Sequence, residues 1–218
     1  MKSFSLRRCL WLAALAPAFA VAAQSSAPLR AEFVDPAQPE VAAIRSAGEA
    51  AVAAVGKKLV TALNTALAAG GPEAAVLVCQ TQALPLTAEK LADQPTLVSV
   101  KRTSLRLRNP ANAPDAAERL ALDHVAKLVA AGQPPPPVLV QRIQPSGTAK
   151  PEWRVYRPIA TKAECLVCHG DPATQSPALR AALQTRYPTD AATGYAADQW
   201  RGLFRVTIAP APAPSARP

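Results

Sequence analysis

Cys165-Leu166-Val167-Cys168-His169 constrains this chain more than any other stretch. Two thiols at that spacing can reach the two vinyl groups on one edge of a porphyrin and close thioethers. The next residue then lies under the iron, where a neutral imidazole is a good axial ligand. Cys-x-x-Cys-His therefore reads as a c-type haem attachment site. Cys165 and Cys168 would carry one covalent haem c, and His169 would be the proximal iron ligand. A bare Cys-x-x-Cys also occurs as a thioredoxin-like redox pair, as half a zinc site or as a plain disulfide. Zinc asks for four ligands. Beyond the first 23 residues the chain offers Cys79, Cys165, Cys168, His124 and His169, with no second closely spaced pair. No βαβ pattern of the thioredoxin kind surrounds the motif.

The start of the chain agrees with the haem reading. Lys2, Arg7 and Arg8 precede an apolar run from Cys9 to Val21, and small residues follow at Ala20, Ala22 and Ala23. That is the layout of a cleaved secretory signal, residues 1–23, with the mature chain beginning at Ala23 or Gln24. The run is too short for a permanent transmembrane helix, and no later stretch is expected to span a membrane. The expected location is the periplasm, and haem joins c-type proteins after export. Cys9 leaves with the signal.

The remaining 195 or so residues suit one domain with a sizeable core, residues 24–209. Net charge is +9, and loss of the three signal cations lowers it to +6. The positive charges are scattered, which argues against nucleic acid and suits an acidic redox partner, an anionic membrane surface or a merely solvated surface.

Proline and apolar periodicity divide the domain. Val41, Ile44, Gly48, Val52, Val55, Leu59, Leu63 and Leu67 recur in steps of three and four, predicting a long helix over 37–69 that Gly70-Gly71 stops. Such a helix packs on its own domain or pairs two copies in a homodimer. A second helix is expected from Pro72 through Cys79, with a further turn or two over 87–93. The spacing predicts strands at 96–101, 138–143, 153–159 and 202–208, and helices at 115–131 and 177–187. On the first of these helices Leu120, Ala121, Val125 and Leu128 are expected to face inward. A Pro145-Ser146-Gly147 turn joins the second and third strands, and residues 210–218 read as a Pro-rich disordered tail. The fold class is α+β with a small antiparallel sheet.

The sixth iron position is narrowed by elimination. Met is the usual partner of His in electron-transfer cytochromes c, but the sole Met is Met1. His124, Cys79, Lys, water or an empty position remain. Cys79 sits in an apolar context, where a Cys often acts as a small hydrophobe.

Five segments extend the argument: Ala74-Ala-Val-Leu-Val-Cys79; Arg102-Thr-Ser-Leu-Arg-Leu-Arg-Asn-Pro110 with Asn112, Pro114 and Glu118; Arg157-Pro-Ile159; Cys165-Leu-Val-Cys-His-Gly170; and Tyr187-Pro-Thr-Asp190 with Ala192, Gly194, Tyr195, Asp198, Arg201 and Gly202. In this combination the chain resembles the Tll-like haem-binding domains, exported haem c domains long filed as a domain of unknown function. Members occur alone or as the extracytoplasmic sensor part of membrane kinases and chemoreceptor-like proteins. The resemblance implies a PAS-like fold with covalent haem and Cys79 opposite His169 on the iron. Ala197 departs from the family, which tends to have Gly before the Asp, and Leu122 stands near where an aromatic is common.

Other residues have physical readings of their own. Arg102, Arg106 and Arg108 are candidates to pair with haem propionates, or else form a solvated basic loop. Asn109-Pro110 and Asn112 suit a turn. Tyr187, Asp190, Gly194 and Tyr195 either wall the haem or pin the loop before the last strand. Trp153 and Trp200 belong to the core or an interface. The expected work is electron transfer, or redox or gas sensing with a separate membrane partner. A peroxidase-like enzyme comes third, since no distal His-Arg pair can be assigned.

Overall fold

Two glycines decide the course of the first half of the chain. In the computed structural model, which describes residues 30–81, 83, 97–144 and 150–209, helix α1 (Ala42–Thr81) is bent where Gly70 and Gly71 leave helical geometry. Gly71 has φ +69°, a left-handed value that glycine adopts without strain. Pro72 then opens the second arm, where its missing N–H costs nothing. The two expected helices are thus two arms of one bent element, preceded by a 3-10 turn at Pro39–Val41. The expected leader, the turn over 87–93, the Pro145-Ser146-Gly147 turn and the tail lie outside the described residues.

A five-stranded antiparallel sheet receives the first arm. Its strands are β1 (Arg30–Val34), β2 (Leu97–Thr103), β3 (Leu139–Gln144), β4 (Glu152–Ala160) and β5 (Trp200–Ile208), in the order β1-β3-β4-β5-β2. Strand β1 had no counterpart among the expected strands. It pairs along β3 from Arg30↔Gln144 to Val34↔Val140, but only five residues carry it and its alternation is weak. The others fall where the β-rich runs place them. The α+β class with an antiparallel sheet is the one expected.

Alternate residues send the two sheet faces to different helices. On one face Val100, Val155, Val206 and Ile208 pack with Ala51 and Val55 of α1, and Trp153 covers the cluster. Gly48 is where helix and sheet approach most closely, since a Cβ there would lie 2.5 Å from Val155 Cβ. On the other face helix α2 (Ala116–Ala130) buries Ala121, Leu122 and Val125 against Leu139, Tyr156 and Leu203, with Trp200 beside them. Leu120, expected inward, is 46% exposed, and Leu122 takes the buried place. The cap sets this phase: Asp115 accepts from Glu118 N–H, and Glu118 reaches back to Asp115 N–H.

That cap yields a prediction. Burial opposes the Asp115 charge, but the Glu118 N–H and the Arg154 guanidinium outweigh it and hold the carboxyl below its usual range. A lowered carboxyl stabilises fully above its unfolded pKa, and that stability is lost as pH falls through the folded value. Asp115→Ala is expected to cost about 1 kcal/mol at neutral pH. Urea titrations at pH 7 and at pH 3 check this, and the difference from the parent protein should shrink at the lower pH.

Among the described residues, one helical stretch, Pro39–Thr81, is by length and composition apolar enough to cross a membrane. This corrects the expectation that no stretch past the leader is. The bend at Gly70-Gly71 and the packing give its apolar residues other work. The early part of the stripe lies on the sheet, while Leu59, Leu63 and Leu67 wall a cavity.

Candidate functional site

Strand β4 delivers the chain to the Cys-x-x-Cys-His motif. A 3-10 turn (Ala163–Cys165) runs into helix α3 (Leu166–His169), closed by Gly170 N–H donating to Leu166 O at 2.8 Å. Gly170 is required there, because a Cβ would meet that same carbonyl. Thr161 stitches the entry to the loop before β5: its N–H donates to Gln199 O, its hydroxyl to Ala196 O, and its carbonyl accepts from Asp198 N–H. Asp198 makes that turn with φ +58°, which Asp tolerates better than most residues. Ala197, the departure from the family pattern, does not itself take a positive φ.

A strap at residues 190–195 fixes the histidine. His169 Nδ1 donates to Ala192 O at 2.7 Å, and His169 O and Gly170 O accept from Tyr195 and Gly194 N–H. The strap is held from the other side by residues 106–108. Arg108 Nε binds Asp190 Oδ2 at 2.9 Å, its Nη2 reaches Cys168 O at 2.5 Å and Ala192 O at 3.3 Å, and its Nη1 lies 3.5 Å from His169 Nε2. Arg106 donates to Ala191 O and Thr193 O and covers the Tyr195 ring at 4.3 Å. Tyr195 meets the His169 ring edge-on. Of the two loop roles weighed for these residues, Asp190, Gly194 and Tyr195 pin the strap, and Tyr187 lines the cavity.

Donation from Nδ1 leaves Nε2 as the lone-pair nitrogen. Burial, reinforced by the Arg201 and Arg108 charges, pushes the His169 pKa down to about 2. The ring is therefore neutral across the ordinary pH range, as a metal ligand must be. Burial also pushes the Cys168 thiol up.

The motif opens on a cavity of about 350 Å³, the size of a small-molecule site. Leu59, Leu63 and Leu67 of the first arm of α1 form one wall, Val76 and Cys79 of the second arm another, and Ile159, Phe204 and Leu183 close it. Helix α4 (Pro177–Arg186) braces the second arm through Leu179, Leu183 and Tyr187 packed on Val76, with Cys168 against them. Cys165, Cys168, His169, Cys79, Arg108 and Tyr187 thus line one space. The three thiols are free, not disulfide-bonded.

Several residues stand elsewhere or do other work. His124 stacks on Phe33 of β1 with ring centroids 4.8 Å apart, on the α2 side of the sheet, and does not line the cavity. Arg108 is committed to Asp190, two carbonyls and the His169 ring. Asn109 caps the turn at Pro110–Asn112, as its type suggested. Arg201 lines the cavity, although it had been assigned no role. The β4–β5 register shifts between Ile159↔Gly202 and Ala160↔Trp200, leaving Arg201 unpaired there. Such an irregularity re-aims a side chain. Among the described residues no three His, Cys, Asp or Glu side chains converge as a ready metal cluster.

Fold and site define an α+β domain with a cavity between a bent helix and a sheet, entered by a Cys-x-x-Cys-His turn. The Tll0287-like family profile matches residues 22–209, and the chain belongs to that family. Among solved structures it is similar to the cyanobacterial heme-protein Tll0287. The two share 24% identity at a TM-score of 0.50, over 79% of this chain and 97% of that one. No curated protein matches the chain.

Proposed function

We propose that this chain is an exported monohaem c-type cytochrome that transfers electrons. Cys165 and Cys168 would hold one haem through thioethers, and His169 and Cys79 would ligate its iron. The observation that carries the reading is His169. It is half-buried, neutral and fixed through Nδ1, with its lone-pair nitrogen 3.5 Å from Arg108 Nη1 and beside two half-buried thiols, in a cavity that Cys79 shares.

The residues present fit the group. Leucines of α1 with Ile159 and Phe204 suit an apolar macrocycle. Thiol and imidazole are donors that iron accepts. Arginine nitrogens at Arg102 and Arg201 are buried without a partner among the described residues. Bound haem iron supplies a one-electron ferric–ferrous couple, and thiolate with imidazole favours the ferric side. The chain's own part is to orient and shield. Ala192 O sets the His169 tautomer, Arg108 and Asp190 hold the strap, and α1 excludes water. Export by residues 1–23 and an acidic redox partner in the periplasm complete the proposal. The membership of a haem-protein's family supports it.

Optical spectra of ferric and ferrous protein, with and without carbon monoxide, test this reading. Low-spin spectra in both states, with no carbon monoxide adduct, are expected of an electron carrier. Ready formation of the adduct would turn the site into an exchangeable one and favour the sensor.

A further inference from the structure

A polar annex of about 90 Å³ opens beside the cavity, sharing Cys79, His169, Arg102 and Arg201 with it. Four arginines border this annex. Arg108 is neutralised by Asp190 at 2.9 Å. Arg106 spends its donors on the Ala191 and Thr193 carbonyls. Arg102 and Arg201 differ, since each has a buried Nε without a hydrogen-bond partner, and neither pairs with a carboxylate among the described residues. Leaving such donors unmet is unfavourable, and more so on charged groups.

The backbone is shaped to keep both there. Arg102 lies on β2 facing the α1 side, opposite Lys101, whose Nζ binds Glu118 on the α2 side. Arg201 reaches the same space through the register shift. Gly202 lets β2 and β5 meet at this point, since a Cβ there would collide with Thr103 O. Burial lowers the pKa of both guanidinium groups, and for Arg201, brought to about 10, the Arg102 and Arg108 charges add to it. Two like charges brought together out of water call for anionic partners.

We infer that Arg102 and Arg201 form the subsite for the two carboxylates of a tetrapyrrole whose apolar body fills the larger cavity. The inference rests on the haem reading and deepens it. Two guanidinium groups, each with a buried Nε lacking a partner, match two carboxylates in number, and a guanidinium fork suits a carboxylate. The annex is too small for more than such side groups, and its continuity with the apolar cavity puts them on one molecule.

The test uses the full mature chain made without haem attachment. Its affinity for iron protoporphyrin IX is compared with that for the dimethyl ester of the same porphyrin, which lacks the negative charges. The parent chain should prefer the free acid by about tenfold or more. Arg102→Gln with Arg201→Gln should bring that preference close to one while leaving ester binding within about twofold. Arg102→Lys with Arg201→Lys should restore part of it. Equal binding of acid and ester by the parent chain would overturn the inference and leave the haem reading standing. That comparison needs no variant to fold. A preference that survives in the double Gln variant would equally overturn it. Failure to bind either porphyrin would sink the haem reading and the inference with it.

Discussion

In the Cys79→Ser protein the ferric low-spin spectrum is expected to convert almost entirely to high spin, and the midpoint potential to rise. Cys79 lines the same cavity as His169 from a separate element, the second arm of α1. The bend at Gly70-Gly71 and the bracing by α4 bring that arm across the Cys-x-x-Cys-His turn. A thiolate is a strong donor that stabilises ferric iron, and a serine hydroxyl is a poor replacement. His124→Ala serves as the control. His124 stacks on Phe33 on the far face of the sheet, so that variant should keep the parent spectrum. An unchanged spectrum in Cys79→Ser, or a changed one in His124→Ala, would remove Cys79 from the iron.

Glu118→Ala is expected to destabilise the protein by about 3–5 kcal/mol without altering the haem spectrum of the folded fraction. The Glu118 side chain is fully buried and binds Lys101 Nζ at 2.7 Å, Arg205 Nε at 2.9 Å and the Asp115 N–H at 2.9 Å. Arg205 also holds Ser99 and Thr207 hydroxyls. One carboxylate therefore ties the start of α2 to β2 and β5, and its loss strands two cations and uncaps the helix. Denaturant unfolding measures the cost. Glu118→Gln, which keeps an acceptor, should cost less than the alanine variant. A loss below about 1 kcal/mol in Glu118→Ala would show that the network is replaceable.

What the sequence declares follows the range of the forces involved. Local signals are plain: the thiol pair with its histidine and the Gly-Gly break before Pro72 both act within a few residues. The alternation of Trp153 through Ile159 likewise yields β4. Non-local consequences are harder to read. Strand β1 forms because β3 presents an edge, not because Arg30–Val34 insists on it. Leu122 displaces Leu120 because the cap fixes the phase of α2 on the sheet. Arg108 looked free for an external anion in a basic loop, yet Asp190, far away in sequence, claims it. Arg201 owes its direction to a register shift that no residue pattern announces. The motif was legible, and the strap that fixes its histidine was not.

The central claim is covalent haem on Cys165 and Cys168. The most direct measurement is mass spectrometry of the proteolytic peptide carrying Cys165–His169 from protein recovered from the periplasm, after acid–acetone extraction. The peptide is expected to retain one haem, and Cys165→Ala with Cys168→Ala should release all pigment to the solvent. A parent peptide with free or disulfide-bonded thiols, and all its haem extracted or zinc in its place, would contradict the account.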